Sequence, residues 1–94
     1  MKPQEVTSPK NKISQVEVII ENDEFSIASF EWNGSVNRIG IRWNGDENSI
    51  GYPQSRGNAT WFVLPKQVAL AYALTTKNAR AVQVIQGSSD TKFI

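Results

Sequence analysis

The sequence of 94 residues contains neither cysteine nor histidine. Without cysteine there can be no disulfide, no thiolate metal ligand and no cysteine nucleophile. Without histidine the chain lacks the commonest zinc ligand and the side chain best suited to proton transfer near neutral pH. A serine nucleophile would need a lysine or a carboxylate as its base. We therefore predict a protein that is not an enzyme and that holds no metal and no cofactor.

Long apolar runs and a strong net charge are also missing. No apolar run approaches the roughly 18–20 residues of a membrane-spanning helix, and the first residues lack the apolar centre of a signal peptide. The formal net charge is only +1, which gives no general attraction to nucleic acid or membranes. Residues 17–31 nevertheless hold five acids and no base, whereas residues 56–80 hold four bases and no acid. We predict a cytoplasmic protein without a membrane partner, whose uneven charge can orient an anionic partner or a second copy.

Two Asn-Gly pairs organise the prediction of the fold. Asn33-Gly34 and Asn44-Gly45 each follow a tryptophan directly, and Asn-Gly between alternating apolar residues is the strongest short-range signal for a β-hairpin. The pattern predicts a β-meander around a strand at residues 38–43. The side chains of this strand alternate between two faces, with Ile39, Ile41 and Trp43 on one and Arg38, Gly40 and Arg42 on the other.

The rest of the chain predicts an α+β fold, namely an antiparallel β-meander of five to six strands with one α-helix packed on one face. Strands are predicted at residues 13–20, 24–32, 38–43, 49–54, 60–64 and 81–86. In the second strand the apolar residues change parity, so it needs either a bulge near Ala28-Ser29 or cover on both faces.

The predicted helix opens at Leu64-Pro65 and has Asn78 as its C-terminal cap. Its predicted buried face has the i, i+3, i+4, i+7 spacing of a helix and consists of Val68, Ala71, Tyr72 and Thr75. Because 94 residues leave no room for a second core, we predict a single domain at residues 13–87. Residues 1–12 are predicted to be a disordered N-terminal tail and residues 88–94 a C-terminal tail.

Basic and aromatic side chains are concentrated around the strand at residues 38–43. Proteins that hold single-stranded nucleic acid combine cations that follow the phosphates with rings that stack on bases, at ~1–3 kcal/mol per base. A nucleic-acid-binding site would consist of Arg38, Arg42, Trp43, Tyr52, Arg56, Trp61 and Lys66. The alternative is structural: Trp43 shares a face with Ile39 and would belong to the core, and the arginines would form a solvent face beside acids of neighbouring strands.

The runs FSIASFEWNGSVNRIGIRWNG and SRGNATWFVLPKQVALAYAL resemble the small transcriptional positive-cofactor family of single-stranded-DNA-binding coactivators and its bacterial relatives. The resemblance covers residues 25–74, roughly half of the chain. It matches Phe25-Ser26-Ile27-Ala28 to the first hairpin strand, residues 38–43 to an arginine-bearing strand, Gly57 to the glycine before the last strand and Leu64-Pro65-Lys66-Gln67 to the strand-to-helix junction. It implies a four-stranded antiparallel sheet followed by one helix, a dimer, and backbone-tracking and stacking roles for Arg38, Arg42, Trp43 and Arg56.

A hypothesis from a different class remains open beside single-stranded nucleic acid binding. The chain would then be a small protein-interaction or ligand-binding domain that acts as a homodimer. An edge strand ending at Pro53, or the alanine-rich face of the helix, would supply the dimer contact. A cluster of Trp32, Tyr52 and Trp61 would hold an apolar or cationic small molecule.

Overall fold

A sheet of four antiparallel strands lies at the centre of the fold in the computed structural model, which describes residues 2–87. In their order across the sheet, the strands are β1 (Ile13–Glu21), β2 (Phe25–Trp32), β3 (Ser35–Trp43) and β6 (Phe62–Leu64). Between β3 and β6, the strands β4 (Gln54–Ser55) and β5 (Asn58–Ala59) form a separate small sheet. Two helices follow, α1 (Lys66–Thr75) and α2 (Ala79–Gln86). The predicted α+β class is confirmed, but the single meander of five to six strands and the single helix are wrong.

The first Asn-Gly pair makes the predicted hairpin between β2 and β3. Asn33 and Gly34 both have positive φ angles, 52° and 88°, which a two-residue hairpin turn of this kind requires. The second pair does not form such a turn. Instead the chain leaves β3 in a loop and returns at Tyr52, which pairs with Trp43. The side chain of Asn44 accepts a hydrogen bond from Ser26 Oγ at 2.6 Å, and this contact with β2 occupies the asparagine.

The sheet has an apolar core on each of its faces. On the helix side, Ile27 and Ile39 pack with buried residues of α1 and α2, which are Ala69, Ala73, Ala81 and Ile85. On the opposite side, Ala28 and Phe30 pack with Val6, Ala59 and Trp61. The alternating side chains of β2 are therefore buried on both faces of the sheet. This agrees with the predicted alternative in which the second strand is covered on both faces. The predicted bulge near Ala28-Ser29 is wrong for β2, because these residues pair in regular register with Gly40 and Ile39. The irregularity opposite them, between Val18 and Ile20, lies in β1.

The helices differ from the prediction in their number and in their buried face. Helix α1 begins just after Pro65, as predicted, but its buried residues are Ala69 and Ala73, whereas Val68 is exposed. Residues 81–86, predicted as a strand, belong to α2. Ala81 and Ile85 are buried at an i, i+4 spacing that suits a helix equally well. Asn78 caps the start of α2, where its Oδ1 accepts a hydrogen bond from the backbone N–H of Ala81 at 3.0 Å.

The N-terminal segment packs on the face of the sheet that the helices leave open. Pro3–Glu5 form a turn of 3₁₀ helix, and Pro3 and Val6 are buried. These residues belong to the folded domain, contrary to the prediction of a disordered tail at residues 1–12. The predicted C-terminal tail lies outside the described residues. Within residues 2–87, no helix is long and apolar enough to cross a membrane.

Candidate aromatic binding surface

An aromatic surface lies at the end of the sheet where β3 finishes and β6 begins. Strand register places Phe25 opposite Trp43 and Ile41 opposite Phe62, on the same face as the helices. The exposed fractions of Trp43, Tyr52 and Phe62 are 59%, 62% and 60%. We define the aromatic surface as Phe25, Ile41, Trp43, Tyr52, Phe62 and Tyr72.

Contacts between rings hold this surface in a fixed arrangement. Phe25 meets Trp43 edge to face, with ring centroids 6.4 Å apart, and meets the ring of Tyr72 from α1 at 5.7 Å. Such edge-on geometry is favourable for aromatic pairs. Tyr52 lies beside Trp43 because two backbone hydrogen bonds join the residues, at 2.7 and 3.2 Å. A groove of ≈ 540 Å³ runs between the side chains, within the roughly 300–1,000 Å³ typical of ligand sites.

Arg42 lies beneath this surface rather than on it. The side chain was predicted to contact phosphates, but only 3% of the residue is exposed. Its guanidinium donates to the carbonyl oxygen of Thr60 at 2.6 Å, to that of Pro53 at 3.4 Å and to that of Ile50. Burial lowers the pKa of the guanidinium from its ordinary value, yet arginine remains charged at neutral pH. The Arg42 side chain therefore holds the loop that contains Tyr52 against β3.

Trp61 is also internal, and the prediction that it stacks on a base is wrong. It packs against Phe30 with ring centroids 6.0 Å apart, and its indole Nε1 donates to the carbonyl oxygen of Val6 at 2.8 Å. Gly40, which shares a strand face with Arg38 and Arg42, lies under these rings. A Cβ there would come within 2.6 Å of the Phe30 ring, so the glycine makes room for the core.

The structure divides the predicted site residues among separate places. Trp43 and Tyr52 come together on the aromatic surface, which shows that the core interpretation of Trp43 is wrong. Arg38 and Lys66 line a different groove of ≈ 440 Å³, between β3, β6 and the helices. Arg56 is exposed in the turn between β4 and β5.

The proposed cluster of Trp32, Tyr52 and Trp61 does not form. Trp32 packs with Trp61 on the face opposite the helices, whereas Tyr52 lines the groove of the aromatic surface. Sequence reasoning missed Phe25, Phe62 and Tyr72 as surface residues. Alternation within the run TWFVL was a usable signal, because a buried Trp61 and Val63 would turn Phe62 to the other side.

Four acidic residues lie within four positions of Phe25 or Trp43 in the sequence. Asp23 and Glu24 precede Phe25, and Asp46 and Glu47 follow Trp43 shortly. Asn44 joins the two segments, since its Nδ2 donates to the carbonyl oxygen of Asn22 at 2.7 Å and its backbone N–H donates to that of Glu24 at 2.8 Å. We call the exposed residues Asp23, Glu24, Asp46 and Glu47 the acidic rim.

Among residues 2–87, no base forms an ion pair with the acidic rim. The ion pair found in this part of the chain joins Arg80 to Glu17 at 2.6 Å, and neither residue belongs to the rim. Nor do three or more carboxylates in residues 2–87 approach one another closely enough to hold a metal ion. The rim therefore contributes a negative potential beside exposed rings.

Comparison of the chain with family models, with curated protein sequences and with solved structures finds no match. The resemblance to the positive-cofactor family consequently rests on the residues quoted for it. A function for this chain has to be inferred from the side chains that the fold exposes, above all from the aromatic surface and the acidic rim beside it.

Proposed function

We propose that the chain is a non-catalytic binding module that holds an apolar polypeptide segment on the aromatic surface. The observation that carries the proposal is the exposure of Trp43, Tyr52 and Phe62 around one groove. Single exposed apolar residues are normal, but a contiguous group of rings marks an interaction site. Aromatic residues are also enriched at protein interfaces and among the residues that dominate binding energy.

The apolar area supplies part of the free energy of a specific contact. Fully burying one large apolar side chain contributes about 1.5–3 kcal/mol. Because Trp43, Tyr52 and Phe62 are 59%, 62% and 60% exposed, covering all three gives roughly 3–5 kcal/mol, which about balances the cost of association of at least about 4 kcal/mol. Additional hydrogen bonds or ion pairs would be needed for tight binding, and the polar groups around the surface are placed to supply them.

Single-stranded nucleic acid fits this surface less well, although the exposed rings suit base stacking. An oligonucleotide on the rings would bring its phosphates beside the acidic rim, where like charges repel. Arg42, one of the cations predicted to contact the phosphates, has its guanidinium occupied by backbone carbonyl groups. Arg38 and Lys66 line the other groove. These placements favour a polypeptide partner.

Selection from a random peptide display library against the immobilised full-length chain tests the proposal. The variant Trp43→Ala/Phe62→Ala removes two rings that are more than half exposed, so we expect it to fold. Selected peptides should bind the wild-type chain, shift the NMR resonances of the aromatic surface, and lose at least about tenfold in affinity on the double variant. Val36→Ala is the matched control, because Val36 is 69% exposed and lies outside the groove.

Two results would contradict the proposal. The first is a set of selected peptides that bind the double variant as well as they bind the wild type. The second is quenching of tryptophan fluorescence by oligo-dT with an affinity that falls steeply with salt, which would assign the surface to nucleic acid.

A further inference from the structure

The aromatic surface carries hydrogen-bond donors that have no partner within residues 2–87. They are the indole N–H of Trp43 and the hydroxyl groups of Tyr52 and Tyr72, which also belong to exposed residues. The buried indole of Trp61, in contrast, donates to a backbone carbonyl. A partner that covers the surface must supply acceptors for these donors, because burying an unpaired polar group is unfavourable.

This requirement discriminates between the conformations that a bound polypeptide can adopt. A helix satisfies its carbonyl groups internally except at its C-terminus, and would leave the ring donors unpaired. An added β-strand needs a long sheet edge, but β6, the edge strand beside the aromatic surface, has only three residues. A polyproline II segment has no internal hydrogen bonds, so its carbonyl oxygens are free, and its proline rings are apolar. Aromatic grooves recognise such segments in other folds.

The negative charge of the acidic rim favours particular residues at the ends of the bound segment. Asp23, Glu24, Asp46 and Glu47 are all exposed. Their negative potential favours a cation and disfavours an anion at the end of the bound segment. Arginine has the additional advantage that its guanidinium stacks on indole and phenol rings.

We propose that the partner is a proline-rich segment flanked by arginine or lysine, bound in the polyproline II conformation across the aromatic surface with its basic end at the acidic rim. This assignment rests on the proposed function and adds the chemical class of the partner. The prolines lie among Trp43, Tyr52 and Phe62. The Trp43 indole and the tyrosine hydroxyl groups donate to carbonyl oxygens of the segment.

Fluorescence polarisation with three labelled peptides and the full-length chain tests the assignment. The first peptide has a polyproline centre flanked by arginines, the second replaces the arginines by glutamates, and the third replaces the prolines by alternating glycine and serine. We expect the first peptide to bind at least about tenfold more tightly than either of the others. The preference over the glutamate peptide should shrink with added salt, because the Debye length falls from about 10 Å at 0.1 M to about 3 Å at 1 M.

Variants separate the roles of the two parts of the site. Trp43→Phe keeps a ring but removes its N–H, and should weaken the first peptide by about 2- to 12-fold, the equivalent of one net hydrogen bond of 0.5–1.5 kcal/mol. Asp46→Asn/Glu47→Gln should weaken the arginine peptide and reduce the preference over the glutamate peptide. Val36→Ala should leave all three affinities unchanged.

Equal binding of the glycine-serine peptide, or of the glutamate peptide at low salt, would overturn the assignment. If library peptides without proline and basic residues bind the aromatic surface, the proposed function stands and the partner class is wrong. Light scattering tests whether a second copy of the chain occupies the surface. A wild-type dimer that becomes a monomer on Trp43→Ala would show that it does, and would also overturn the assignment of a proline-rich partner. If no peptide binds the chain, or if Trp43→Ala changes the affinity of none of them, both proposals are wrong.

Discussion

Replacing Arg42 by methionine should destabilise the protein far more than the same replacement of Arg38. Both arginines lie on the same face of β3 according to their partners in β2. Arg42, however, is buried and donates to three backbone carbonyl groups, whereas Arg38 is exposed. Methionine keeps much of the aliphatic length of either side chain, so the comparison isolates the guanidinium group.

The size of the effect follows from the contacts. The bond from Arg42 to Thr60 is short at 2.6 Å, that to Pro53 is long at 3.4 Å, and a third bond joins Arg42 to Ile50. A hydrogen bond to a charged group contributes about 1.5–3 kcal/mol. Thr60 and Ile50 are only half-buried, so water can replace part of the loss, and the lower figure for two bonds gives about 3 kcal/mol. In a domain of this size that corresponds to a decrease in Tm of roughly 12–24 °C.

Urea unfolding followed by tryptophan fluorescence and by circular dichroism measures both variants. We expect Arg38→Met to change the free energy of unfolding by less than about 0.5 kcal/mol, as exposed substitutions do. Arg42→Lys should fall between wild type and Arg42→Met, because one ammonium group cannot reproduce the guanidinium fork. A loss on Arg42→Met no larger than that on Arg38→Met would refute the inference that Arg42 fastens the loop.

Four further predictions concern the core, the turn between β2 and β3, and the cap of α2. Gly40→Ala should destabilise the fold by about 1–3 kcal/mol in urea unfolding, since its Cβ would meet the Phe30 ring at 2.6 Å. Gly34→Ala, with open space but a φ of 88°, should cost only about 1 kcal/mol. Trp61→Phe should lower the free energy of unfolding by at least about 1 kcal/mol, because the carbonyl of the buried residue Val6 loses its donor. Asn78→Ala should cost about 1 kcal/mol and reduce the helical signal in circular dichroism, through loss of the cap of α2.

Features of the fold that depend on neighbouring residues were predictable from the sequence. The Asn33-Gly34 turn is one, because positive φ at both residues is a local preference. The start of α1 after Pro65 is another. Helix α2 was not predicted, since the run AVQVIQ satisfies both a two-residue and a four-residue period. Its helical state depends on the cap at Asn78 and on burial of Ala81 and Ile85 against distant elements.

The candidate site was less predictable than the fold, because burial there depends on contacts between distant segments. Nothing local distinguishes Arg38 from Arg42, yet the loop at residues 50–60 supplies carbonyl groups only to Arg42. The same applies to the tryptophans. Trp61 finds its acceptor at Val6, 55 residues earlier, whereas Trp43 lies beyond the helices and stays exposed. Sequence reasoning identified Trp43 and Tyr52 as surface candidates but could not separate them from Trp61.

The first residues of the chain have a practical consequence for anyone who shortens it. A boundary chosen from composition would begin at β1 and discard Val6, which is 1% exposed and accepts the indole bond of Trp61. The shortened protein would present the rings of Trp61 and Phe30 to water on the face opposite α1 and α2. Non-specific binding by these newly exposed rings would then be mistaken for a property of the intact protein.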